Sequence, residues 1–125
     1  MSDSSPEGVA QRLEGKLVGT YLHYRRSKGL PELRRLRIKP AGEAQFLYSD
    51  LYDAEENTII EAKAFVTRES LRMAVGQLLD YARFLSPRPK LAVLLPHHPR
   101  SDLSDYLHQA GISPIICDVA ADEWS

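Results

Sequence analysis

The sequence predicts a mixed fold of the α/β (α+β) class, and three observations carry that reading. The apolar period is helical near the start, alternates between Leu33 and Val66, and turns helical again after Thr67. Lys90 to Leu95 (KLAVLL) is a continuous apolar run of strand length, as a strand buried on both faces requires. Between that run and the preceding apolar strand lies a long amphipathic stretch, the form a right-handed crossover between parallel strands takes.

Each element follows in chain order. Residues 1–6 read as a disordered start, and 7–125 as a single domain. Val9, Leu13, Leu17, Tyr21 and Tyr24 recur at helical spacing, with Gly29 as the stop and Pro31 beyond it. Leu33, Leu36 and Ile38, interleaved with arginines, predict an extended and partly exposed strand. Pro40 to Glu43 is a turn. Phe46 to Tyr52 predicts a second strand, Asp53 to Asn57 a polar turn, and Thr58 to Val66 a third strand, together an antiparallel meander. Thr67 is a good N-cap, followed by Glu69 in the first turn. Leu71, Ala74, Val75, Leu78, Ala82 and Leu85 mark one face of the long helix, which Ser86 to Pro89 breaks. After the KLAVLL strand, Ser101 is read as the cap of a short helix ended by Gly111, and Ile112 to Cys117 as a last strand.

The chain has 125 residues and a net charge of −1, enough for one compact domain and without an overall field that draws nucleic acid. No apolar run approaches the ~20 residues of a membrane span, and the polar start is unlike a signal peptide, so a cytoplasmic protein with no membrane partner is expected. A single cysteine, Cys117, excludes an internal disulfide and a cysteine-based zinc cluster.

The near-neutral total hides blocks of alternating sign. Residues 23–39 hold seven Lys or Arg against one acid, residues 40–61 six acids and no base, and residues 62–100 seven bases against two acids. Two basic blocks around an acidic one suit a polyanion gripped beside a carboxylate centre that binds a cation; two solvated faces give the same pattern.

That acidic centre has a specific form. Residues two apart in a strand share a face, so Glu61 and Lys63 point the same way. A four-residue turn, Ala54 to Asn57, places Asp50 directly opposite Glu61; a three- or five-residue turn would bring Asp53 there instead. Two carboxylates ~5 Å apart at Cβ form a site for a hard divalent cation, completed by a backbone carbonyl and water. Lys63 beside them can orient an attacking water and stabilise developing negative charge. An exposed ion pair between Glu61 and Lys63 is the bland alternative, and the apolar neighbours Ile59 and Phe65 argue against it.

These residues resemble the PD-(D/E)xK nuclease superfamily, in which an acidic residue on one strand is followed by E-x-K on the next. The resemblance runs roughly from residue 14 to residue 116 and includes the αβββαβ element order. Ser49-Asp50 stands where the pattern has Pro-Asp. In the crossover helix, Gln77-Leu78-Leu79-Asp80-Tyr81 fits the QxxxY motif of the RecB-like branch. The resemblance implies a restriction-endonuclease-like fold and hydrolysis of DNA phosphodiester bonds. It implies Mg²⁺ or Mn²⁺ held by Asp50, Glu61 and the Ala62 carbonyl, with Lys63 activating water. Gln77 and Tyr81 would hold phosphate or water, and Glu14 on the first helix would supply a further ligand.

Arg25, Arg26, Arg35, Arg37 and Arg68 are the candidate phosphate contacts, Arg35 and Arg37 sharing one strand face. A double-strand cut needs two centres, so a homodimer is expected, or else the cleavage domain of a larger restriction-type system. Val18 and Leu22 on the first helix, and the segment ending in Trp124, are the candidate pairing surfaces. The rival reading is a non-catalytic nuclease-fold module that binds DNA or another partner.

Overall fold

The computed structural model describes residues 5–118. Helix α1 (Pro6–Ser27) starts where local chemistry favours it: the Ser5 hydroxyl accepts a hydrogen bond from the Gly8 amide at 3.0 Å, proline opens the first turn, and Glu7 faces the helix N-terminus. Ordered structure thus reaches back to Ser5 and Pro6, inside the stretch expected to be disordered; residues 1–4 lie outside the described residues. Gly29, at φ +68°, ends the helix. Leu17 and Tyr21 are buried, but Tyr24, expected on the same apolar face, is exposed.

The remaining elements are β1 (Arg37–Ile38), β2 (Leu47–Tyr48), β3 (Leu51–Asp53), β4 (Thr58–Ala62), α2 (Arg68–Ala82), β5 (Lys90–Leu95), α3 (Ser101–Gln109) and β6 (Ile112–Ile116). The main sheet has the order β3-β4-β5-β6, antiparallel at β3-β4 and parallel thereafter. The fold is therefore mixed α+β, as expected. Thr67 caps α2 through its side chain as read from sequence, whereas Arg100, not Ser101, stands at the N-cap of α3.

The expected meander is two pieces. The predicted strand from Phe46 to Tyr52 breaks at Ser49-Asp50 into β2 and β3. β1 and β2 form a separate antiparallel ribbon, joined to the main sheet by a bridge between Arg34 and Tyr52. The cause is the buried Ser49, whose polar groups are all engaged locally. Its amide donates to the Leu36 carbonyl (3.0 Å) and its hydroxyl accepts from the Leu36 amide (3.1 Å) and donates to the Leu51 carbonyl (3.4 Å). The Ser49 carbonyl accepts from Arg35 Nε at 3.3 Å. Those side-chain bonds replace ladder bonds at this point and turn the chain from ribbon to sheet. β4 likewise ends at Ala62, short of the expected Val66.

Alternation along β4 gives the sheet two buried faces. Ile59 packs with Leu71, Leu78 and Val75 of α2, with Leu103 and Leu107 of α3, and with Val93 and Leu95 of β5. Ile60 and Ala62 pack with Leu17 and Tyr21 of α1. Helices thus cover both sides, and α2 links β4 to its parallel neighbour β5. Among the described residues, no helix is long and apolar enough to cross a membrane.

Removing the Ser49 hydroxyl strands a backbone amide beside the core. Ser49→Ala is expected to lower unfolding stability by about 1–3 kcal/mol, measured by urea denaturation; an unchanged midpoint would show that the junction does not depend on the hydroxyl.

Candidate active site

The β3-β4 turn positions the site. The ladder pairs Asp53 with Thr58, Tyr52 with Ile59 and Leu51 with Ile60, which sets Asp50 opposite Glu61 across a four-residue turn. Asp53 is occupied elsewhere: its Oδ1 accepts the Glu55 and Glu56 amides at 3.1 Å each. Asn57, at φ +49°, closes the turn, accepting a hydrogen bond from the Tyr52 hydroxyl at 2.6 Å. The geometry therefore selects Asp50 over Asp53 as the carboxylate beside Glu61.

Beyond the last ladder pair, the two acids clasp one another's strands. The Asp50 amide donates to Glu61 Oε1 at 3.0 Å, and the Ala62 amide donates to Asp50 Oδ2 at 2.9 Å. Glu61 is 3% exposed and Lys63 6%. Burial of this kind disfavours charge. The Glu61 carboxyl is pushed up to about 8, first by burial, then by the charge of Asp50 and a hydrogen bond to its carboxyl; the Asp50 amide and Lys63 pull the other way.

Glu14 of α1 lies within electrostatic reach of Asp50 and Lys63. Burial raises its carboxyl above the usual range; Lys63 and the Ala64 amide draw it down, and the charge of Asp50 raises it. An open cavity of about 470 Å³ is lined by Gln11, Glu14, Gly15, Val18, Arg35 and Asp50. Asp50 and Glu14 thus meet solvent, with Glu61 and Lys63 buried beside them.

The two residues of the QxxxY motif fare differently. Tyr81 is buried, and its hydroxyl donates to the Tyr48 carbonyl at 3.0 Å. Its proton is therefore committed to the backbone just before Ser49-Asp50, and not to the phosphate or water expected of it. Burial, followed by the charges of Glu61, Asp50 and Asp80, raises it to about 12; Arg35 opposes them. Gln77, one turn earlier on α2, has a buried Oε1 without a hydrogen-bond partner. A buried acceptor left unpaired is costly unless a donor arrives, such as water or a ligand hydroxyl.

The expected phosphate contacts divide as well. Arg25 is corrected: its side chain is 11% exposed, bonded to the Pro31 carbonyl at 3.0 Å and facing Asp53 at 3.8 Å, so it braces the α1 exit. Arg26 pairs with Glu32 at 2.8 Å, and Arg68 with Asp102. Arg35 and Arg37 stay exposed on the ribbon.

The donor set fits a hard divalent cation in part. Two carboxyls whose charges oppose each other are the environment such an ion relieves, and Mg²⁺ is commonly held by one or two carboxylates with water filling the rest. Among the described residues, no three His, Cys, Asp or Glu side chains are grouped to hold a metal ion. Asp50 and Glu61 would therefore hold it with water and the Ala62 carbonyl.

Ser49 was legible only as a departure from Pro-Asp, although it anchors the acid that follows it. The signal for it is a lone serine inside an alternating apolar run, where a hydroxyl must find backbone partners.

Glu61 takes up a proton on folding, because its carboxyl lies above its ordinary value. Stability therefore falls as pH rises from the unfolded value near 4.5 through about 8. Glu61→Gln, which keeps the acceptor for the Asp50 amide, is expected to raise stability by about 2–4 kcal/mol at the alkaline end and little at the acid end. Thermal unfolding across that range measures it; a gain independent of pH would contradict the buried-carboxyl account.

No protein-family model, curated protein or solved structure matches the chain, so the site is read from its own geometry.

Proposed function

We propose that the protein is a metal-dependent DNA endonuclease of the PD-(D/E)xK type, with a restriction-endonuclease-like fold. One observation carries the reading: Asp50, at the cavity, faces Glu61 across a hairpin, with Lys63 two residues on, and Glu61 and Lys63 are buried where charge is penalised. Ion pairs kept for stability alone rarely place two acids together, because like charges raise each other's protonation cost.

Asp50 and Glu61 would hold Mg²⁺ or Mn²⁺, which when bound neutralises phosphate charge and makes water more acidic. Lys63 presents an ammonium group beside the acids, able to orient the attacking water and to offset charge developing on phosphorus oxygens. Glu14, on the cavity wall, is placed to accept a proton from that water. Gln77 offers its unpaired amide oxygen to a donor, and Tyr81 holds the strand that carries Asp50. Arg35, on the same cavity, supplies positive charge for a phosphate. In this reading the protein works inside the cell on DNA, as a homodimer or as the cleavage part of a larger restriction-type assembly, each copy supplying one centre.

Incubation of linear and circular DNA with and without Mg²⁺ tests the reading. Cleavage is expected with Mg²⁺ or Mn²⁺, and not with Ca²⁺ or in excess EDTA. Lys63→Met, which keeps the buried stem, is expected to slow cleavage by about a hundredfold or more while DNA binding in EDTA stays near wild type. Cleavage that survives chelation, or full activity of the variant, would overturn the assignment. Binding without any cleavage would identify a non-catalytic module.

A further inference from the structure

The ribbon that precedes the site carries a surface of its own. Its register pairs Arg37 with Tyr48 and Ile38 with Leu47. Ile38 and Leu47 turn inward to the core, so the alternate residues turn out. Along the segment through β1 these are Arg35, Arg37 and Lys39; along the segment through β2, Phe46 and Tyr48. The Arg35 guanidinium lies over the Tyr48 ring at 4.5 Å, the Arg37 guanidinium over the Phe46 ring at 4.4 Å, and Lys39 Nζ 5.6 Å from the same ring. The two rings stand 6.3 Å apart, tilted by 48°.

Phe46 and Tyr48 remain 39% and 43% exposed. Two partly exposed rings side by side form a small apolar patch, a feature that marks binding surfaces when it is rimmed by polar groups. The alternation also continues past the ribbon: Phe46 and Tyr48 are exposed, Ser49 is buried, and Asp50 follows at the cavity that Arg35 also lines. The outward row of cations and rings thus ends at the candidate active site.

We propose that this outer face of the β1-β2 ribbon binds single-stranded DNA, its bases stacking on Phe46 and Tyr48 and its phosphates meeting Arg35, Arg37 and Lys39, so that an unpaired strand is led to Asp50. Three cations interleaved with two aromatic rings match the repeat of a nucleotide chain, in which each phosphate neighbours a planar base. In a duplex the bases are stacked inside and offer these rings no faces, so the surface selects unpaired strands. Guanidinium groups centred over the rings place positive charge beside them, where the phosphates of a strand stacked there would lie. What happens at Asp50 rests on the nuclease reading; the binding itself does not.

The test is binding in EDTA, where cleavage has no part. Fluorescence anisotropy is measured with a labelled single strand of about 20 nucleotides, longer than one such surface covers, with the matching duplex, and with an abasic strand of equal length. Wild type is expected to prefer the intact strand to the duplex and to the abasic strand. The double variant Phe46→Leu, Tyr48→Leu keeps apolar side chains on the ribbon. It is expected to lose about fivefold or more in affinity per ring for the intact strand, and to bind the abasic strand as wild type does. Arg37→Gln with Lys39→Gln is expected to reduce the steepness of log K against log salt by about 1.4.

Equal binding of intact and abasic strands by wild type, an unaffected ring variant of unchanged thermal stability, or an unchanged salt slope would each overturn the proposal. Metal-dependent cleavage together with ring-independent binding would overturn the platform and leave the nuclease reading standing. Ring-dependent binding without cleavage under any metal would do the reverse.

Discussion

The structure around the site depends on a reciprocal pair of hydrogen bonds between two carboxylates and two backbone amides. Asp50 N–H reaches Glu61, and Ala62 N–H reaches Asp50. At this level of the hairpin the side chains bond the amides of the facing strand. Each acid is thereby held by a strand it does not belong to, and neither can move without breaking a hydrogen bond from a backbone amide beside the core. The same closeness sets the opposing cost: two acids this near one another, one of them almost wholly buried, cannot both carry charge easily. Lys63 offsets part of that cost. Such local expense, retained inside an otherwise apolar sheet, is the feature on which the proposed function rests.

The surrounding elements serve that pair. The turn from Ala54 to Asn57 sets the register, with Asp53 binding two turn amides and Asn57 taking the left-handed conformation. One residue more or less would rotate every side chain of β3 to the opposite face. Tyr81 ties α2 to the Tyr48 carbonyl, and Ser49 binds Leu36 and Leu51. Asp50 therefore sits at a junction fixed from the helix, the ribbon and the sheet together. The exposed rings of the ribbon and the facing carboxyls of the hairpin are separated by Ser49 alone.

Much of this was legible in the sequence because it rests on short-range periodicity. The KLAVLL run, the Thr67 cap and the facing of Asp50 and Glu61 each follow from spacing within one element or one turn. What was not legible depends on tertiary partners. The strand read from Phe46 to Tyr52 alternates without interruption, and only the Leu36 backbone, 13 residues earlier, reveals why it breaks at Ser49. Arg25 read as one more cation in a basic block; its contacts with Pro31 and Asp53 appear only once α1 has turned back on the sheet. Tyr81 fitted a motif by spacing, yet spacing does not say where a hydroxyl points. Tyr24 falls on the helical stripe, yet its ring stays exposed near the end of α1, at an open cavity beside Ile115, Ile116 and Cys117. The segment with Trp124 lies outside the described residues.

The proposed function requires that Asp50 and Glu61 bind a hard divalent cation. Crystals grown with Mn²⁺, with data collected at the manganese absorption edge, test it most directly. The account predicts an anomalous peak within coordinating distance of both carboxylates. Full density for the two side chains with no anomalous signal between them, or a peak held by other residues alone, would contradict it.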